Sequence, residues 1–164
     1  MTEISIITGN VGAGKSTYAA RLSAERRAHV FAIDEWMRSL FQADMSDPPP
    51  DYEWMLERTR RCDRRIMAEA LRLADLGVPA ILDLGFFTRE QRDWARDAIK
   101  AGGHVPALHI LDVDAAERWA RIEARNARPR AAHEVAVSRE TFDFCETIYE
   151  APTDDERVGA VIVD

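Results

Sequence analysis

A chain of 164 residues, 46% apolar and 31% charged, suits one domain with a sizeable core and lies far from disordered or fibrous compositions. Its formal net charge of −7 argues against a surface built for indiscriminate nucleic-acid binding, although a local basic patch can coexist with an acidic whole. Cys62 and Cys145 show no C-x-x-C or metal-ligand spacing, and there is no apolar h-region leader or run near a membrane span, so a soluble, cytoplasmic protein with two reduced thiols is expected.

The first element is a short β-branched strand, Ile4 to Thr8, followed by a loop from Gly9 to Gly14 and a helix opened by Lys15-Ser16-Thr17. The spacing Gly9-x-x-x-x-Gly14-Lys15-Ser16 is a full phosphate-loop pattern, set between strand and helix as that loop requires. Glycine at positions 9, 12 and 14 lets the backbone approach an anion, and the N–H groups of Gly9, Asn10, Val11, Gly12, Ala13, Gly14, Lys15, Ser16 and Thr17 are candidates to cradle a triphosphate. Lys15 supplies a point charge for the β- and γ-phosphates, and the Ser16 hydroxyl is a ligand for Mg²⁺. ATP and Mg²⁺ are therefore the expected small-molecule partners.

The helix runs to about Ala28, with Tyr18, Ala19 and Leu22 turned inward. Val30 to Ile33 reads as a strand ending at Asp34, and Glu35 to Phe41 as a helix; if Asp34 caps it, Arg38 shares its face one turn on. Residues 42–52 contain Ser46-Asp-Pro-Pro-Pro50, which excludes regular helix and central strand and suits a cap over an acceptor site. Glu53 to Leu76 is a long helix closed by Gly77, with Leu56, Thr59, Ile66, Ala70 and Leu73 inward and Arg58, Arg61, Arg65 and Arg72 on a solvated face.

Val78 to Leu82 is a strand ending at Asp83, a strand-end carboxylate suited to assist a metal or its waters. Thr88 and Gln91 form a capping box for a helix to Ala101, ended by Gly102-Gly103. Pro106 to Val113 is a strand, and Asp114 with Glu117 caps a helix to Asn126. Ser138 caps a helix from Arg139 to Glu150, and Val158 to Val163 is a last strand. The order βαβαβαβαβ with short connections predicts one α/β domain over 1–164, a five-stranded, mostly parallel sheet with helices on both faces and right-handed crossovers. Ligands of such sheets sit outside the carboxyl ends of the strands, where the phosphate loop, Asp34 and Asp83 converge.

Phosphoryl transfer also needs cations for the developing charge. Arg118, Arg121, Arg125, Arg128 and Arg130 crowd into thirteen positions of an acidic chain, which suits an arginine-bearing lid over 125–137, with Arg125 and Arg128 as first candidates. His29, His104, His109 and His133 show no ligand spacing.

Five segments together, the phosphate loop, Ile33-Asp34-x-x-x-Arg38, Ile81-Leu-Asp83, Arg121-x-x-x-Arg125-Asn-Ala-Arg128 and Ala151-Pro-x-Asp-Asp-Glu156, resemble the small P-loop kinases of AAA_33-like type. The closest resemblance is to the branch holding the polynucleotide 5′-hydroxyl kinase domain, zeta toxins and chloramphenicol phosphotransferase. The resemblance implies a P-loop NTPase fold, Asp34 as general base, Arg38 on the acceptor and a lid arginine at 125 or 128. The gap from Asp34 to Arg38 is one residue longer than in the polynucleotide enzyme. Pro152 and the acidic residues after it border the adenine site by the same resemblance; by themselves they read as a turn. The expected activity is ATP-dependent transfer of the γ-phosphate to a hydroxyl of a small molecule. The alternatives are a polynucleotide 5′-hydroxyl kinase, and a nucleotide-dependent switch or regulatory ATPase with no hydroxyl acceptor. Nucleic acid is a possible but not favoured partner, and no membrane partner is expected.

Overall fold

The protein is described from a computed structural model, over residues 1–44, 51–128 and 136–163. Its strands are β1 (Glu3–Thr8), β2 (His29–Ala32), β3 (Ala80–Asp83), β4 (Val105–Leu111) and β5 (Val161–Val163). They form one sheet in the order β2-β3-β1-β4-β5, and every pairing is parallel. Alternation along β1 explains the layers. Ile4 and Ile6 point to one face and pack with Leu82, Ile66, Ala70, Ala95 and Ile99; Ile7 points to the other and packs with Ala19, Leu22 and Ile81. The helices α2 (Ile33–Phe41), α3 (Tyr52–Asp75) and α4 (Arg89–Ala101) thus contribute to the first core, and α1 (Lys15–Arg26) to the second. Two further helices, α5 (Ala115–Asn126) and α6 (Arg139–Ile148), follow β4.

Several boundaries differ from the sequence reading for local reasons. Ile33 opens α2 instead of closing β2, so Asp34 is the second helical residue and Ala32 takes the N-cap position without a side-chain cap. Asp51 caps α3 by accepting from the Trp54 N–H at 2.8 Å, which starts that helix one residue earlier than expected. The Thr88/Gln91 capping box forms in full, whereas Asp114 accepts from Glu117 N–H at 2.9 Å. The last strand is shorter than 158–163, because Gly159 takes φ 78 before β5 begins.

The segment after Pro152 is a correction. It is not a turn but a one-turn helix, α7 (Asp154–Arg157), with a capping box between Thr153 and Glu156. Glu156 is buried against Arg92 of α4, itself fully buried; the guanidinium reaches the carboxylate at 2.8 and 3.0 Å and donates to the carbonyls of Glu150 at 2.9 Å and Phe86 at 3.3 Å. A buried pair with its hydrogen bonds filled is costly to break from one side. The fold prediction is that Glu156→Ala lowers unfolding free energy by about 3–5 kcal/mol in urea. Burial alone would push the Glu156 carboxyl up, but the Arg92 fork and the Thr153 N–H outweigh it and hold it well below its ordinary 4.5. The pair's stabilisation is therefore complete above pH 4.5 and is lost as pH falls through the depressed value, a loss the variant lacks.

Candidate functional site

The parallel order β3-β1-β4 puts the end of β1 in the middle of the carboxyl edge, and the phosphate loop continues from it. The glycines serve different purposes than a common approach to an anion. Gly9 is nearly extended at φ 159, and a Cβ there would meet Leu111 at 3.0 Å. Gly12, at φ 83, lies so close to α5 that a Cβ would meet the Arg118 carbonyl oxygen at 2.7 Å. Gly14, at φ 91, is the N-cap of α1 and brings no side chain to cap it. The first-turn N–H groups of Lys15, Ser16 and Thr17 therefore have no intrahelical acceptor, and no acidic residue occupies that turn. This is an anion seat made of backbone.

Asn10 holds the loop from below: its Oδ1 accepts from Val11 N–H at 2.7 Å and its amide donates to Glu146. Glu146 of α6 also receives both ends of the Arg118 guanidinium at 2.8 and 3.1 Å, and Arg118 donates to the Val11 carbonyl at 3.1 Å. Arg118 is thus buried in a structural network. Arg121 donates to the Ala13 carbonyl at 3.2 Å and to Glu117 at 2.5 Å, which lays it along the rim of the loop.

Lys15 folds back over the loop, with Nζ 2.9 Å from the Gly9 carbonyl oxygen and 3.3 Å from that of Asn10. Burial pushes its pKa down, and the charges of Asp83 and Asp34 pull the other way. The Ser16 hydroxyl donates to Asp83 Oδ2 at 2.8 Å. Asp83 is buried at the end of β3, and burial pushes its carboxyl up against the opposing hydrogen bond from Ser16 and the charge of Lys15. A hydroxyl and a carboxylate side by side are hard oxygen donors. They fit Mg²⁺, which takes one or two protein oxygens and completes its octahedron with water and phosphate. Bound there, the ion would neutralise phosphate charge.

A cavity of about 1630 Å³ runs from the loop across the sheet edge. Val11 to Thr17, Asp83, Asp34 and Arg38 all line it; Asp34, exposed in the first turn of α2, is near enough to Lys15 and Asp83 for its charge to push both of their pKa values up, and Arg38 is half-buried one turn later. Gln42 and Tyr52 also line it, whereas 45–50, most of the expected cap, lie outside the described residues. Arg125 lines the cavity from the end of α5. Arg128 is exposed beyond that helix and does not line it; residues 129–135, with Arg130 and His133, lie outside the described part of the lid span. Gly9 and Asn10 do not line the large cavity. Asn10 instead borders a second cavity of about 350 Å³ shared with Tyr149 and Pro152.

The sequence reading passed over three residues that line the large cavity: Arg60, Asp63 and Arg64 of α3. Of the arginine row placed on a solvated face, Arg61, Arg65 and Arg72 do face solvent, Arg61 pairing with Glu57 and the other two with Glu69, whereas Arg58 is half-buried over the rings of Trp54 and Phe41. One turn of the helix carries both sets, on different sides. The signal available in the sequence was Asp63 itself, a charged residue inside the inward stripe that continues through Ile66 and Ala70.

Residues 4–152 match the family model AAA_33, described as an AAA domain. No curated protein matches the chain by sequence. Among solved structures, Kti12 of Chaetomium thermophilum in complex with ADP-AlF3 superposes with a TM-score of 0.71 at 17% identity, over 98% of this chain and 88% of that one. A sugar kinase from a Janibacter species superposes at 0.66 with 19% identity, over 100% and 86% of the two chains. The Mycobacterium tuberculosis APS kinase CysC in complex with AMPPNP and APS superposes at 0.62 with 22% identity, over 93% and 84%. At these identities the likeness is one of fold.

Lys15→Met provides the test of the loop. With the loop backbone left intact, affinity for Mg·AMPPNP in calorimetry should fall by about tenfold to a hundredfold, the worth of a charge-assisted hydrogen bond. Wild-type affinity in this variant would mean that the nucleotide does not seat its phosphates here.

Proposed function

Because the chain belongs to the AAA_33 family of AAA domains, we propose that it is an ATP-dependent kinase that moves the γ-phosphate to an alcohol hydroxyl of a small molecule. The observation that carries this reading is one cavity lined by the anion seat and by Asp34 with Arg38, Asp34 lying close enough to Lys15 to act on its charge. A switch or regulatory ATPase needs the anion seat only. A flat, partner-sized apolar patch at 42–52 would favour it, whereas Gln42 and Tyr52 line the concave cavity and 45–50 lie outside the described residues.

The roles follow from position. The loop amides and Lys15 hold the β- and γ-phosphate oxygens, and Ser16 with Asp83 holds Mg²⁺. The adenine reaches toward the smaller cavity at Tyr149 and Pro152. The acceptor hydroxyl lies between Asp34 and the γ-phosphorus, with Arg38 orienting the acceptor. Asp34 takes the hydroxyl proton as the new O–P bond forms and the bond from phosphorus to the bridging oxygen of ADP breaks. Arg125, which lines the cavity, and Arg128 beyond it offset charge on the transferring oxygens.

A polynucleotide 5′ end is the second reading, favoured by the arginines that line the cavity. It ranks below the small molecule because the arginines continuing along α3 are neutralised by glutamates.

Asp34→Ala should lower turnover with γ-labelled ATP by about 10²–10⁴-fold, the usual worth of a general base, while leaving Mg·AMPPNP affinity at the native level. Turnover equal to that of the native protein would remove Asp34 from the chemistry. Lys15→Ala serves as the blank.

A further inference from the structure

The cavity carries more charge than phosphoryl transfer requires. Arg60 and Arg64 stand one turn apart on α3 and line it with Arg38 of α2. Where other arginines of α3 are matched by Glu57 or Glu69, these three make no ion pair among the described residues. Asp63 lies between Arg60 and Arg64 in the chain and lines the same cavity. Its Oδ1 is closed off from solvent and has no hydrogen-bond partner among the described residues. Burial pushes its carboxyl up to about 7. Arg60 is three residues away, a spacing at which helical ion pairs form, yet none does. A carboxylate withdrawn from water with no partner costs stability, and a ligand hydroxyl that donates to it offsets that cost.

Resting on the kinase reading, we propose that the acceptor is a small anionic polyol. Its phosphate or carboxylate is gripped by Arg38, Arg60 and Arg64, and a second hydroxyl, distinct from the one phosphorylated, donates to Asp63 Oδ2, the oxygen that is not closed off. A single strand of nucleic acid fits less well. It calls for cations trailing along an open groove, whereas the unmatched arginines of α3 both line the cavity and the others are paired with glutamates.

The anion seat is tested without any turnover. With Mg·AMPPNP filling the phosphate loop, inorganic phosphate is titrated against tryptophan fluorescence, since Trp94 lines the cavity. The native protein should bind phosphate saturably, and Arg60→Ala with Arg64→Ala should weaken it about tenfold or more. Phosphate binding that never saturates, or that the double variant leaves unchanged, overturns the seat. Failure of AMPPNP to bind overturns the nucleotide reading instead.

Specificity is tested with γ-labelled ATP and glucose, gluconate, glucose 6-phosphate and an oligonucleotide with a free 5′-hydroxyl. The anionic sugars should exceed glucose in kcat/KM by about tenfold or more. Equal use of glucose, or transfer to the oligonucleotide alone, overturns the proposal and leaves a kinase standing; transfer to nothing overturns both. Asp63→Asn should raise acceptor KM by about tenfold to a hundredfold at nearly constant kcat, without lowering the urea midpoint. A lowered midpoint with unchanged KM would make Asp63 a structural residue and overturn its assigned contact.

Discussion

The hydrogen bond from Ser16 to Asp83 joins the first turn of α1 to the end of β3, and most of the site's chemistry follows from what makes that bond possible. β1 is paired in parallel on both sides, by β3 and β4, so the loop that leaves β1 emerges at the middle of the sheet edge with strand ends on either hand. Asp83 is brought within reach of Ser16 because Ile6 is in register with Leu82, next to it in β3. On the other side, a Cβ on Gly9 would touch Leu111 at the end of β4, and Gly12 sits against Arg118 of the helix that follows. The anion seat is therefore shaped by sheet register and by α5 packing as much as by the loop's own backbone freedom.

Charge is distributed with the same economy. Arg92 and Arg118 are spent on structure, each buried against one carboxylate and the carbonyls of neighbouring loops. The surface arginines of α3 are matched by glutamates on their own helix, which is worth little in stability but removes net charge from that face. Several of the cations that make no ion pair among the described residues line the cavity: Lys15, whose pKa burial lowers, and Arg38, Arg60, Arg64 and Arg125. An acidic protein can thus gather cations in one pocket while most of its surface arginines are paired with carboxylates.

The fold was legible because its signals are local. The glycine spacing before Lys15, the β-branched runs, the Thr88/Gln91 capping box and the glycines after α3 and α4 each act within a few residues. The family resemblance rested on the same motifs, and the match over residues 4–152 agrees with it. Long-range contacts were not legible. Thr153 and Glu156 form a capping box that the sequence displays, but a single turn of helix holds there because Arg92, 64 residues away, buries its carboxylate. On α3 the arginines at 60 and 64 differ from those at 61 and 65 by one position. Which pair enters the cavity depends on how the helix is rotated against the sheet, a property of packing. Asp63 was the clue, a carboxylate where the inward stripe calls for an apolar residue.

The central claim is that nucleotide and acceptor meet in one cleft, with the carboxylate of Asp34 facing the phosphorus to be transferred. A crystal structure of the protein with Mg·ADP and aluminium fluoride tests it most directly. The account predicts the β-phosphate on the amides of 14–17, the metal between Ser16 and Asp83, and the aluminium in line between ADP and a ligand held by Asp34. Aluminium fluoride bound with Asp34 turned away from it, or a nucleotide seated outside the loop, would contradict it.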